Sequence, residues 1–223
     1  MQFLANFVRY SIPEKQPSTK NKSVYSLSSV VLLVYIHFMA LRIGLCGSHR
    51  TGKTTLAEAI SKKTRIPFIK TSTSAVFEQH GLHPAQPLSF KTRLWIQHRI
   101  IEAAVEVWQA EKGSFITDRT PIDFMAYTLA DIQGTTEVDF AELETYLEHC
   151  FEVTNQFFTT LTVLQPAIPL VHEQGKAALN RAYMEHLNIL IQGLCSDERL
   201  KCTSIVIKRN IISLETRIKT ILN

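Results

Sequence analysis

The chain has 223 residues, 45% of them hydrophobic and 20% charged, with only 8 Gly and 8 Pro, a composition that excludes a disordered, collagen-like or Pro-rich bulk. Its net charge of +4 is gathered at the N-terminus, where Arg9, Lys15, Lys20 and Lys22 outweigh Glu14. The remainder is near neutral and carries no electrostatic footprint for strong non-specific nucleic-acid binding.

Residues 1–38 read as an N-terminal extension ahead of a single domain over 39–223. Nineteen residues between Lys22 and Arg42 lack Lys, Arg, Asp and Glu, and Val30 to Ile36 form an unbroken apolar run. A spanning helix needs about 20 predominantly apolar residues, and here Ser23, Ser26, Ser28, Ser29 and His37 interrupt the stretch. The extension is therefore expected to be disordered or a weakly hydrophobic anchor, without chemistry, and a membrane protein is disfavoured. Cys46, Cys150, Cys195 and Cys202 form no C-x-x-C pair, so neither a zinc ribbon nor a dithiol motif is written, and the cytoplasm is the expected location.

From residue 41 the elements follow in a regular order. A strand over 41–46 leads into Gly47-Ser48-His49-Arg50-Thr51-Gly52-Lys53-Thr54, a full match to G-x-x-x-x-G-K-[ST], and a helix over 53–63 carries Leu56 and Ile60 at helical spacing. Then come a strand over 67–70, a polar, turn-rich loop over 70–90, a helix over 89–111, a strand over 114–117 and helices over 121–131 and 138–157. A strand over 159–164, a helix over 173–194, a strand over 203–208 and a helix over 212–222 complete the chain. Strands alternating with helices predict an α/β fold, a three-layer P-loop NTPase sandwich with a parallel five-stranded sheet flanked by helices.

The residue types of the first motif each have a reason. Gly47 and Gly52 allow conformations and close approach that a β-carbon would block. Backbone N–H groups of residues 47–55, together with the helix N-terminus, form a concave anion site suited to ATP. Lys53 brings a positive charge to the β and γ phosphates, and the Thr54 hydroxyl can coordinate Mg²⁺. Thr55 reads as a helix-start residue, Cys46 as a buried filler and His49 as a loop side chain facing solvent or phosphate.

A second motif, Thr117-Asp118-Arg119-Thr120-Pro121-Ile122-Asp123, follows the third strand. Functional groups collect at the carboxyl ends of strands in open α/β sheets, which makes Asp118 a metal ligand or an acceptor-side base and Arg119 a contact to substrate or phosphate. Thr120, Pro121 and Asp123 read as N-cap, first helical residue and third-position acid, so Asp123 is assigned to capping. Arg119 stands where many hydrolases place a water-activating Glu, and no Asn-Lys-x-Asp guanine-reading motif serves the cradle. Transfer to an acceptor is favoured over hydrolysis.

Acceptor contacts are sought on the long helix, where Arg93 and Gln97 share a face at i, i+4 spacing, and in a lid between the fourth strand and the next helix, where Lys176 and Arg181 supply positive charge. Trp108 reads as core, and Lys208-Arg209-Asn210 as a candidate adenine-side loop.

These two motifs resemble those of P-loop kinases related to thymidylate and deoxyribonucleoside kinases, and the similar ATPase domain of nicotinamide riboside kinases. In style they look closest to viral kinases that phosphorylate 5-hydroxymethyluracil within DNA. The resemblance covers residues 39–223. It implies that Lys53 and Thr54 bind ATP and Mg²⁺, that Asp118 acts as base or metal ligand, and that the acceptor is of nucleoside type, free or within DNA, with the hydroxymethyl group of 5-hydroxymethyldeoxyuridine the best single choice. A nucleoside monophosphate kinase, in which Arg93 or Arg99 binds the acceptor phosphate, and an ATP-binding sensor are the alternatives. A homodimer is compatible with all three.

Overall fold

The computed structural model describes residues 40–169 and 180–223. The extension 1–38 and Lys176 therefore lie outside the described residues. Among those described, five parallel strands form one sheet: β1 (Arg42–Cys46), β2 (Phe68–Ile69), β3 (Phe115–Thr117), β4 (Thr160–Leu164) and β5 (Thr203–Ile207), in the order β2-β3-β1-β4-β5. The sandwich expected from the alternation of elements is the architecture observed.

Strand alternation explains the three layers. Ile43 and Leu45 of β1, with Ile116 and Leu164, join Leu56 and Ile60 of α1 (Lys53–Thr64) and Ile218 and Ile221 of α7 (Leu214–Leu222) in the smaller core. Cys46, Phe115, Leu161 and Val163 look the other way, into the larger core. That core also takes Leu94, Ile101 and Trp108 of α3 (Phe90–Ala110), Met125 of α4 (Pro121–Ala130), Tyr146 of α5 (Phe140–Phe157) and Leu187 of α6 (Arg181–Cys195). Each fully buried Leu or Ile contributes about 1.5–3 kcal/mol. Trp108 packs edge-on to Phe158 with ring centroids 5.1 Å apart, inside the core as expected.

Chain order and sheet order together create the site. The chain leaves β1, crosses to the edge strand β2, returns through β3 beside β1, and then moves to the opposite side for β4 and β5. The crevice at the carboxyl ends of β1 and β3 is thus the topological switch point where ligands bind in such sheets. Gly47 follows β1 there and Asp118 follows β3.

Helix ends are set by side-chain caps, and these move several expected boundaries. Ser89, Asp139 and Ser213 accept hydrogen bonds from the first-turn N–H groups of α3, α5 and α7, so those helices begin at 90, 140 and 214. Asn180 accepts from the Tyr183 N–H and is itself extended, so α6 begins at Arg181, and the expected helical residues 173–179 lie outside the described residues. The segment 70–90, expected to be loop throughout, contains the short helix α2 (Thr73–Gln79). Only Val76 and Phe77 of α2 are buried, too few to write a periodicity in seven residues. Strand β2 shrinks to two residues at the sheet edge, with the Pro67 carbonyl extending the ladder by accepting from Ile116 N–H at 2.9 Å. Among the described residues, no helix is long and apolar enough to cross a membrane.

Candidate active site

The loop after β1 is held by contacts that its own sequence does not suggest. Gly52 has φ 86° and Arg50 φ 61°, both left-handed, and a β-carbon on Gly52 would lie 2.9 Å from Ile168 Cδ1. A β-carbon on Gly47 would lie 2.7 Å from the Leu164 carbonyl oxygen. Both glycines are required, one by conformation and one by close approach. The Thr51 hydroxyl donates to the Ser48 carbonyl at 3.0 Å and closes the turn, while Ser48 Oγ is buried without a partner.

Lys53, the first residue of α1, curls back over this loop. Its Nζ donates to the carbonyls of Gly47 at 2.5 Å and Ser48 at 3.0 Å and lies 3.8 Å from Asp123 Oδ1. Burial, reinforced by the nearby Arg119 and opposed by Asp123, lowers the ammonium pKa to about 8. A polyphosphate arriving beside Lys53 favours the charged form by the same electrostatics. Thr55 points outward, as a helix-start residue would.

Asp123 does more than cap. Thr120 and Asp123 form the expected capping box at the start of α4, with Pro121 in the first turn. Yet Asp123 Oδ1 also accepts from the Gly47 N–H at 3.1 Å, and the carboxylate is fully buried. Burial pushes its pKa up, while Lys53 and Arg119 pull it down. Cys46 Sγ lies 3.2 Å from Thr120 Oγ1, and burial raises the thiol well above its ordinary range, in keeping with a filler.

Asp118 sits at the end of β3, 6% exposed, where Oδ2 accepts a hydrogen bond from the Thr54 hydroxyl. Its second oxygen, Oδ1, is buried without a partner. A hydroxyl and a carboxylate with spare acceptor capacity suit Mg²⁺, which takes one or two ligands from protein and the rest from water and phosphate. No group of three or more His, Cys, Asp or Glu side chains that could hold a metal ion occurs among the described residues, and a magnesium site of this kind needs none.

Beside the loop, with His49 and Asp123 in its wall, opens a cavity of about 580 Å³. Arg93 and Gln97 line it side by side, as their spacing implied, together with Arg119 and the rings of Phe77, Phe124 and Tyr127. Arg93 is largely committed: it pairs with Asp131 at 3.0 Å and donates to the carbonyls of Pro84 and Gln86. Gln97 is 7% exposed and its Oε1 has no partner, and Arg119 Nη1 is likewise buried and unpartnered. Arg99 pairs with Glu102 on the outer face and does not line the cavity.

His49 departs from its expected setting. It is half-buried and lines the cavity wall, with Nδ1 3.4 Å from the Tyr127 hydroxyl. Burial pushes that phenol up to about 12. Arg181 also departs: it is exposed and faces a separate groove of about 270 Å³ with Pro166, Met184 and Glu185, because the cap at Asn180 turns Asn180 and Tyr183, not Arg181, toward the larger cavity. Arg209, from the candidate adenine-side loop, is tied to Glu185 and to the Pro166 carbonyl. The sequence reading missed Tyr127, Asp131 and Tyr183. A signal existed for two of them, since Asp123, Tyr127 and Asp131 form a polar stripe at four-residue spacing along an otherwise apolar segment.

A family model described as an AAA domain matches residues 42–163, while no curated protein matches the chain. Among solved structures, a deoxyadenosine kinase from M. mycoides with the products dCMP and dCDP superposes with a TM-score of 0.57 at 19% identity, covering 82% of this chain and 97% of that one. The same enzyme with bound dATP gives 0.55 at 21%, with coverage of 82% and 97%. A thymidylate kinase from Ehrlichia chaffeensis gives 0.52 at 14%, with coverage of 82% and 96%. The fold is that of the P-loop nucleoside kinases.

Proposed function

The chain belongs to the AAA-domain family, and from that premise we propose that it is an ATP-dependent kinase that transfers the γ-phosphate to a hydroxyl of a nucleoside-type acceptor. One observation carries the reading. The phosphate cradle and an aromatic-walled cavity share His49 and Asp123 as a common wall, and Arg119, the residue after Asp118, lines the same cavity. A hydrolase needs a cradle and a water; it has no use for a second cavity with an unpartnered amide such as Gln97.

In this reading the backbone N–H groups of residues 47–55 receive the phosphates and Lys53 moves from the loop carbonyls to the β and γ oxygens. Thr54 and Asp118 would hold Mg²⁺, whose chemistry there is neutralising charge on the phosphates. The alternative role for Asp118, with Oδ1 not ligating the metal, is to accept the proton of the attacking hydroxyl there, and the spare Arg119 N–H is available to the transferring phosphoryl. Gln97 offers its amide to a base edge while Phe77, Phe124 and Tyr127 pack against the ring faces.

The same geometry bears on the acceptor. Arg93 is engaged by Asp131 and two carbonyls, and Arg99 faces away, which favours a neutral nucleoside hydroxyl over a nucleoside monophosphate. A free deoxynucleoside and the hydroxymethyl group of 5-hydroxymethyldeoxyuridine within DNA present the same primary alcohol. The DNA substrate would have to be turned out of its stack to enter the cavity.

The test is transfer of labelled γ-phosphate from ATP with Mg²⁺ to deoxynucleosides, deoxynucleoside monophosphates and hydroxymethyluracil-containing DNA, with Lys53→Ala and Asp118→Asn as controls. Label on one acceptor class, absent in both variants, supports the kinase reading and names the acceptor. ATP binding with no label on any acceptor overturns it in favour of a sensor.

A further inference from the structure

Arg217 of α7 belongs to neither the cradle motif nor the cavity, and nothing in the proposed transfer uses it. Its side chain is 2% exposed. Nη1 donates to the Thr51 carbonyl at 3.0 Å, and Nε donates to the Ile211 carbonyl at 2.8 Å, in the turn entering α7. Nη2 is buried and has no partner. Among the described residues no carboxylate forms an ion pair with it. A β-carbon on Gly52 would lie 3.6 Å from Nη1, so the guanidinium packs directly against the end of the cradle loop.

This placement is electrostatically unfavourable without an anion. A guanidinium carries five N–H donors and a charge that does not titrate away. Two backbone carbonyls satisfy part of that demand, and burial of an uncompensated charge is costly. Arg217 is the fourth residue of α7, near the positive end of that helix's dipole, and it contacts Thr51 just before the positive end of α1. Lys53 adds a further positive charge to the same loop. Burial pulls the arginine pKa down, and no acidic neighbour among the described residues acts against it.

We infer that Arg217 is a positioning residue for the donor triphosphate, holding the Thr51 carbonyl toward α7 and contributing a buried charge that is compensated when a polyphosphate occupies the cradle. The inference rests on the reading of residues 47–54 as the triphosphate site. It adds a dependence of that site on the C-terminal helix, 166 positions away from Thr51.

The experiment compares the full chain with Arg217→Met and Arg217→Lys, titrating inorganic tripolyphosphate and ATP by calorimetry and following the ligand-induced shift in Tm. The methionine variant is expected to bind tripolyphosphate about tenfold more weakly, within the usual range of coupling between sites, with a smaller Tm shift and a raised KM for ATP at unchanged acceptor KM. The lysine variant keeps the charge and should recover most of the affinity. Should Arg217→Met not fold, Arg217→Gln removes the charge while keeping a donor and gives the same reading. Tripolyphosphate binding equal to wild type in the neutral variant overturns the inference alone, as does a lysine variant as weak as the methionine one. Failure of the wild-type chain to bind tripolyphosphate overturns the triphosphate site and the inference with it.

Discussion

In the phosphate cradle the recognising atoms belong mainly to the chain's own backbone, while in the neighbouring cavity they belong to side chains from several elements. The cradle is over-determined: left-handed Gly52, the Thr51 to Ser48 hydrogen bond, Asp123 on the Gly47 N–H and Arg217 on the Thr51 carbonyl all hold one short loop. The cavity is bounded instead by α2, α3, α4 and α6, and its polar groups, Gln97 and Arg119, keep unpartnered atoms. Recognition through main-chain geometry is invariant to the ligand beyond its phosphates. Recognition through side chains can be changed one residue at a time, which is how one fold serves many acceptors.

This contrast can be broken by substitution, and the largest effect is expected in the cradle. Lys53→Ala should reduce phosphate transfer about 1,000-fold, the scale of losing a charge-stabilising group in the transition state. A radiolabel assay on the soluble variant reads it, and retention of more than a tenth of wild-type activity would remove Lys53 from the chemistry. Asp118→Asn should cost roughly 100-fold and move the Mg²⁺ dependence to higher concentration, as a magnesium titration of the rate would reveal. An unchanged magnesium profile would assign Asp118 elsewhere.

On the acceptor side the effects should be smaller and confined to one substrate. Gln97→Leu removes one neutral hydrogen-bonding group worth about 1 kcal/mol, so the acceptor KM should rise about fivefold while the KM for ATP stays put. An equal rise in both would show that the two regions are not separable. Ser89→Ala removes the cap of α3, the helix that carries Arg93 and Gln97, and should cost about 1 kcal/mol of stability, or about 2–4 °C in Tm for a domain of this size. Differential scanning calorimetry checks this, and an ATP affinity lowered in parallel would again blur the two regions.

Legibility follows the same division. The cradle could be read because conformational demand, charge and helix start fall within eight consecutive residues. The capping box at Thr120 and Asp123 could be read for the same reason. That Asp123 also reaches the Gly47 N–H, 76 positions away, could not, because nothing local distinguishes a capping acid from one that caps and braces. Helix α2 was missed because it buries only Val76 and Phe77. Arg181 was misplaced because the rotation of α6 about its axis, fixed by the cap at Asn180, sends Asn180 and Tyr183 into the larger cavity and Arg181 into the separate groove.

The order of the strands and of the longer helices, the parallel sheet, the cradle motif and the capping box at Thr120 needed no tertiary information, since each follows from periodicity, backbone restriction or a side chain bonding its own neighbours. The walls of the cavity, the bracing of the cradle by Asp123 and the buried charge of Arg217 required the folded chain. They depend on the order β2-β3-β1-β4-β5 and on the rotation of each helix about its axis, which bring together residues that the chain keeps far apart.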